Sequence, residues 1–551
     1  MSVRRRASLA LLAGVFASGV PAVAHATGVT EYPDNGSEQG MRGGAWVARA
    51  SDPLAAFYNP AGLAGQPTRL VFQANMPFQS TCFARQKAMN DQTQDGVAMG
   101  QAYPKVCASN GMGIVPQLAM TFRVTDRIGI GFAPLLTPSG GASNIQWPQF
   151  VSTVSPTTGK VVYEPGPTRY LLTDADLIVI TPTLGIGVEV VDRLRLGVSF
   201  EWGVASLSFT NAIAATANAS PGAYSTASDI QSVAKVHDYF IPGLTAGAIY
   251  SPSNSFDIAG WYKWSNPISA EGDVVTTGSY YNGQVAQGKS PGGSVTNTAL
   301  SNCGIAGTPA GTCGPNDLKL TVQQPMEAKV GFRYHMPRKD LPYDEHVRDP
   351  IAQDVFDIEA DFTWANDSAF QALEARLPSN MNIGTLPVAV TPMLTQAAPS
   401  TADVPHNYHD VFGVRLGGDV NVIPDRWAIR GGGFFQSSAL NAQYQNIDFP
   451  ASTNFGLSIG TTYRLHLSKE KANALELSLG YAHIFYLDET YNGPGGIPAT
   501  AGTPCLSPAS QVGGSLQCSN GSTIYRTQWA VNLGTITNSI NVLNVGLGYK
   551  F

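Results

Sequence analysis

The sequence predicts an all-β protein: a 14-stranded antiparallel transmembrane β-barrel with an N-terminal hatch plugging the lumen. Three observations predict it. The chain opens with an export signal. Its composition is too poor in charge for a water-soluble globule, yet it holds no stretch apolar enough for a spanning helix. From residue 69 onward it repeats a pattern of alternating strand, tight turn, alternating strand and long loop.

The export signal comes first. Arg4, Arg5 and Arg6 are followed by the apolar run Ala7–Val20 and then by Ala24-His25-Ala26, small residues at the two positions a signal peptidase reads, with Thr27 as the mature start. The run is shorter than the ~20 residues a spanning helix needs. The expected organisation is a signal peptide over 1–26, a plug over 27–68, and a barrel with long extracellular loops over 69–551.

Hydrophobic residues make up 43% of the chain and charged residues only 13%, about half the usual ~25% of a soluble protein. A chain that enters a membrane without apolar helices must pair its backbone groups between strands, in a closed barrel. The formal charge of −6 becomes −9 once the three leader arginines are removed. That balance argues against a nucleic-acid partner, which needs a basic face.

The predicted strands are Arg69–Phe78, Val115–Thr125, Ile128–Leu135, Leu177–Val191, Leu194–Phe209, Tyr239–Pro252, Phe256–Trp264, Leu318–His335, Phe356–Trp364, Val411–Val422, Trp427–Gln436, Phe455–Leu467, Ala474–Tyr486 and Ile540–Phe551. An even count places both ends on the periplasmic side. In the last strand Leu543, Val545, Leu547, Tyr549 and Phe551 share one face, and Asn544, Gly546, Gly548 and Lys550 the other. One face suits lipid and the other a polar lumen. Connections after even strands are mostly tight, as at Asp126-Arg127 and Asp192-Arg193, while those after odd strands are long. The connection Met336–Val355 is the long exception. A soluble sandwich would share the alternation but not the export signal or the loop asymmetry.

The six cysteines fall in three outer loops, none in a strand: Cys82 with Cys107, Cys303 with Cys313, and Cys505 with Cys518. Pairing within each loop is the economical arrangement in an oxidising compartment. Their spacing does not fit a metal site. His406, His409 and Asp410 read as a polar cluster at a strand end rather than as metal ligands. No metal or cofactor is expected. A terminal Phe551 on an apolar face resembles the signal by which the barrel assembly machinery recognises its substrates, and outer-membrane lipid is the expected surround.

Residues 27–68 do not alternate. Gly36, Gly40, Gly43, Gly44, Pro53, Pro60, Gly62 and Gly65 punctuate small apolar residues, and irregular backbone at membrane depth is tolerated inside a lumen. Within this stretch lie Gln39-Gly40-Met41-Arg42-Gly43-Gly44-Ala45-Trp46, Ala50-Ser51-Asp52-Pro53 and Tyr58-Asn59-Pro60-Ala61-Gly62-Leu63. These resemble the N-terminal hatch of the FadL-type long-chain fatty acid transporters, a family that includes aromatic-hydrocarbon channels. Asp126–Gly131, Leu318–Tyr334 with Pro325, His409–Gly417, Trp427–Gly432 and Gln436–Ser438 resemble later family strands in the same order. Gly40, Gly43, Asn59, Pro60 and Ala61 are the hatch residues this resemblance marks.

The resemblance implies a passive channel for hydrophobic compounds, with long-chain fatty acids as the default substrate; a monomer is expected. It also implies capture by the outer loops, binding in an internal pocket, and sideways release through a gap at a kink in the third strand. Pro134, with Pro138 and Gly140 after it, is the candidate kink; an ordinary strand end is the alternative reading. Alternation turns Glu327, Lys329, Arg333, Asp357, Glu359, Asp361, Arg415, Asp419 and Arg430 inward. Lys329, Arg415 or Arg430 can hold a carboxylate head, or these charges pair across strands and hold the hatch. Phe132, Phe434 and Phe435 are candidate pocket residues, and Ala212–Ala234 a candidate capture loop with a short helix over Ala227–Val236. The rival functions are a channel for neutral aromatic or alkane hydrocarbons, a general porin, and a surface adhesin or receptor. No nucleophile elbow, phosphate loop or zinc-hydrolase helix suggests an enzyme.

Overall fold

Fourteen long strands pair in chain order, each with the next, and the last closes on the first. They are β1 (Arg69–Arg85), β2 (Val115–Arg123), β3 (Ile128–Leu135), β4 (Asp174–Ile180 and Thr183–Val191), β5 (Leu194–Ile213), β6 (Ile230–Ser253) and β7 (Phe256–Ser265 and Ile268–Thr277). Then come β8 (Leu318–Val322 and Glu327–Pro337), β9 (Asp354–Ala365 and Ala372–Arg376), β10 (Val411–Ile423), β11 (Trp427–Gln436), β12 (Asn454–His466), β13 (Ala474–Tyr486) and β14 (Gly534–Lys550). Closure runs from Arg69 opposite Lys550 to Arg85 opposite Gly534. This computed structural model describes residues 35–551 except 94, 110–112, 139–141, 155–158, 160, 215–225, 227–228, 278–317, 341–342, 345, 377–381, 387–393, 398–402, 450, 468–472, 502, 505–509, 513–514 and 518–524.

The period of two sorts the side chains. On β10, Phe412, Val414, Leu416 and Val420 are exposed on the outer face, while Arg415 and Asp419 are buried in the lumen. β14 sorts the same way, with Leu547 exposed and Asn544 buried. No helix among the described residues is long and apolar enough to cross a membrane; the strands do so.

Several elements differ from the predicted ones, mostly on the outer side. β1 runs on to Arg85, so Cys82 lies in a strand and not in a loop. It faces Cys107 in a short strand pair, and the two are disulfide-bonded. Cys303, Cys313, Cys505 and Cys518 lie outside the described residues. Ile230–Val236, expected to be helical, begins β6 and pairs with β5. These segments continue the ladder above the membrane, where neither face meets lipid and the alternation fades. Buried residues from the outer segments, among them Phe83, Trp147, Leu172, Phe370, Tyr408 and Phe449, pack into one apolar core over the barrel.

The long periplasmic connection between β8 and β9 folds back across the barrel mouth. Arg348 donates to the carbonyls of Ala48 (2.6 Å) and Arg49 (2.5 Å). Asp349 accepts from Arg464 on β12 (2.6 Å) and from Lys550 on β14 (2.6 Å).

Candidate functional site

Residues Asn35–Thr68 lie inside the barrel. They comprise the short helix α1 (Ser37–Met41) and two 3-10 turns, Pro53–Ala56 and Pro60–Leu63. Each turn starts with a side chain that caps it and a proline whose missing N–H is no loss at a helix start. Asp52 accepts from Leu54 N at 2.8 Å, and Asn59 Oδ1 accepts from Ala61 N at 3.2 Å. Asn59 also donates through Nδ2 to Val47 O at 2.8 Å, tying the second turn to the rest of the segment.

The wall gives this segment room. A side chain at Gly247 of β6 would collide with the Asn59 carboxamide. Gly43 has φ +63°, and a Cβ there would lie 2.9 Å from Gly433 Cα on β11. Gly40 sits in α1 against Asn544. Pro60 and Ala61 lie where a side chain on Gly197 would be.

Charge fixes the segment on the other side. Arg42 pairs with Asp357 (2.7 Å), Glu359 (3.3 Å) and Asp419 (2.5 Å). Arg49 pairs with Glu38, Asp357 and, at 2.8 Å, Asp419. Asp361 accepts from the backbone N–H groups of Trp46 (2.7 Å) and Val47 (3.1 Å). All of these side chains are buried. Arg42 and Arg49, out of solvent, persist as charges because several carboxylates pair with them.

Above the segment is a cavity whose empty space, mouth included, is about 1330 Å³. Phe57 and Tyr58 reach into it from the luminal segment. Leu177, Val179, Leu207, Ile241 and Trp261 line it from the wall, and Phe449 of the outer core closes it from above. Lys263, Lys329, Arg415, Glu201 and Glu327 supply its charge. Lys263 pairs with Glu201 at 3.0 Å and lies 3.4 Å from the Phe57 ring centroid. Lys329 Nζ is 5.0 Å from the Trp261 ring centroid and 6.0 Å from that of Tyr58. The cavity therefore combines apolar walls with cations held against aromatic faces.

Of the candidates read from sequence, Lys329 and Arg415 line the cavity. Arg430 does not; it donates to Asp419 on the neighbouring strand at 2.7 Å and lies 3.8 Å from Glu38 of the luminal segment. Phe132 is corrected outright. Its neighbours Gly131 and Ala133 face inward and are buried, with Leu63 packed on Gly131, so Phe132 faces the membrane. Phe435 is likewise exposed opposite the buried Phe434. Phe434 packs against Gly456 and near Ile484 and Tyr486 instead of lining the cavity. Lys263, Glu201, Trp261, Phe57 and Tyr58 went unread. The signal for two of them was present: in Trp261-Tyr262-Lys263-Trp264, alternation pairs an inward tryptophan with an inward lysine.

The wall is interrupted beside the cavity. Between β2 and β3 the register slips by one residue, from Met120–Phe132 to Leu118–Leu135, so Ala133-Pro134 forms a bulge. Pairing of β3 with β4 ends at Ala133–Thr183. The outer half of β4 pairs instead with Ala142–Gln146. Proline suits this place because it donates no ladder bond. Pro138 and Thr181 line the cavity here, and Thr181 N donates to Leu136 O at 2.8 Å. Gly140 lies outside the described residues.

Asp448 accepts from His406 Nε2 at 3.0 Å and His406 lies against Phe370, whereas Asp410 accepts from Trp364 Nε1. They do not converge. No group of three His, Cys, Asp or Glu side chains poised for a metal occurs among the described residues.

Comparison with known proteins agrees with this architecture. The family described as "Outer membrane protein transport protein (OMPP1/FadL/TodX)" matches residues 15–507. A FadL homologue from Pseudomonas aeruginosa has a similar structure, with TM-score 0.61 and 16% identity over 95% of this chain and 100% of that one. The toluene transporter TodX of P. putida gives 0.52 and 12%, over 95% and 99%. The toluene transporter TbuX of Ralstonia pickettii gives 0.50 and 13%, over 94% and 99%. No curated protein matches the sequence. The chain belongs to the FadL/TodX family of outer-membrane transport proteins: it is a multi-pass β-barrel of the outer membrane and a channel for hydrophobic compounds, not an enzyme.

Proposed function

We propose that this channel carries long-chain fatty acids passively, holding the acyl chain in the cavity and releasing it sideways through the β3–β4 break. The observation that supports this most is the cavity itself, where an apolar wall and three cations, Lys263, Lys329 and Arg415, share one space. Each methylene sheltered from water contributes about 0.8 kcal/mol, and a cation satisfies the carboxylate head. In this reading residues 1–26 are the cleaved signal and 27–68 the hatch. The barrel assembly machinery inserts the chain, Phe551 being its recognition end, and the channel works as a monomer in outer-membrane lipid.

A second reading also has an observation in its favour. Lys263 is engaged by Glu201 and Phe57, and Lys329 lies near Trp261 and Tyr58. Cations so occupied suit a neutral aromatic or alkane substrate, and two similar structures are toluene transporters. Uptake of labelled oleate and toluene by a deletion strain, with and without this chain, separates the two. Oleate uptake restored by the chain is expected. Restoration of toluene alone would replace the fatty-acid reading by the hydrocarbon one.

A further inference from the structure

The cavity reaches the wall at a second place. The ladder between β7 and β8 holds up to Lys263–Glu327 and resumes at Ile268–Val322. Between these pairs, residues 264–267 and 323–326 face each other without pairing. Each side carries a proline, Pro267 and Pro325, which cannot donate to a ladder. Neighbouring pairings lapse one residue further on: β6–β7 after Asn266 N donates to Pro242 O (3.0 Å), and β8–β9 after Asn366 N donates to Met326 O (2.9 Å).

The window lies on both the cavity and the membrane. Ser265, Ile268, Val322, Gln324, Pro325 and Glu327 line the cavity. On the outer face, Tyr262 and Trp264 are exposed, and Tyr262 Oη donates to Met326 Sδ at 2.8 Å. Phe256 to Trp264 is about the nine to eleven residues a strand needs to cross the hydrocarbon, so the window sits at its outer edge, in an aromatic belt. Open ladder is costly against hydrocarbon, and at this depth headgroups and water can satisfy the backbone when the Tyr262–Met326 contact parts.

We propose that the β7–β8 window is a second side exit of the cavity, gated by Met326 and Tyr262 and working in parallel with the β3–β4 break. It rests on the reading of the chain as a channel with lateral release. Two parallel exits mean that sealing either leaves residual flux.

The test is a reducible staple. Trp264→Cys with Met326→Cys continues the Lys263–Glu327 register across the window. Ser265→Cys with Gln324→Cys is the second staple if the first does not insert, insertion being read by heat-modifiable gel mobility. Each is placed in the wild-type chain and in one lacking Pro134, and labelled oleate and toluene uptake are measured oxidised and reduced. Wild type with and without reductant controls for the Cys82–Cys107 bond. The expected result is residual uptake without Pro134 that falls to background when the staple is oxidised and returns on reduction. Residual uptake indifferent to the staple, or none left without Pro134, overturns the second exit while leaving the channel reading intact. A wild-type chain that carries neither compound overturns both.

Discussion

Asp357 on β9 meets Arg42 of the luminal segment at 2.7 Å, both side chains wholly buried, although 315 residues separate them in sequence. Asp357 also accepts from Arg333 and pairs with Arg49. One carboxylate thus joins the wall to the segment that fills the lumen. Removing it takes one carboxylate from each of three buried guanidinium groups, which keep Glu359, Asp419, Glu38, Asp257 and Asp354, and breaking a buried pair costs up to about 3–5 kcal/mol. Asp357→Ala is expected to lower the temperature of heat-modifiable unfolding and to raise ion conductance in planar bilayers. Wild-type conductance in the variant would show that the segment is held without this network.

The seat of the second turn makes a steric prediction. Gly247→Val puts a branched side chain into the Asn59 carboxamide. The barrel is expected to close, since β5–β6 pairing is unaffected by a valine, while the displaced turn exposes residues 35–68 to added protease. A segment as protected as in wild type would mean that Asn59 can move aside.

The outer loop after β1 makes a prediction about pH. Burial alone would raise the Asp95 carboxyl, but Arg169, Lys87 and Tyr103 outweigh it and hold it at about 2. Lys87 Nζ bonds Asp95 at 2.7 Å and Arg169 reaches it at 2.8 Å. A carboxylate depressed in this way stabilises the fold fully above its unfolded value, near 3.8, and loses that contribution as pH falls toward 2. Hydrogen exchange over residues 86–108 should stay slow at pH 5 and quicken only below about 4. Asp95→Asn should show quick exchange at every pH.

Cavity charge makes a prediction about substrate. Arg415→Met and Lys329→Met keep most of the volume and remove a cation. Losing a charge-assisted hydrogen bond costs about 1.5–3 kcal/mol, so oleate uptake should fall by about tenfold or more while toluene uptake is spared. Equal loss of both would point to collapse of the cavity wall.

Barrel architecture was legible because lipid on one side and a polar lumen on the other impose a period of two. Phe412-Gly413-Val414-Arg415-Leu416 displays it without ambiguity. The Asn59-Pro60-Ala61 segment was legible as part of the plug through its resemblance to the family motif, whereas its capped turn emerges only in the structure. Legibility failed above the membrane, where β1 and β6 run on with apolar residues on both faces, under the core around Phe83 and Trp147. It failed again at Phe132. An aromatic in a strand looks the same whether it lines a pocket or meets lipid, and only Leu63 packed against Gly131 decides the face. Arg430 could not be separated from Arg415 by alternation, since both point inward; their different neighbours come from the fold of residues 35–68.

Deletion of Pro134 tests release through the wall beside the cavity most directly. Removing that residue takes out the one-residue bulge against β2 at the point where β3 leaves β4, and is expected to let β3 stay paired with β4 past Ala133–Thr183. Uptake of labelled oleate should then fall several-fold, while heat-modifiable mobility shows a barrel inserted as before. Undiminished uptake by an inserted, bulge-free barrel would contradict sideways release through β3–β4.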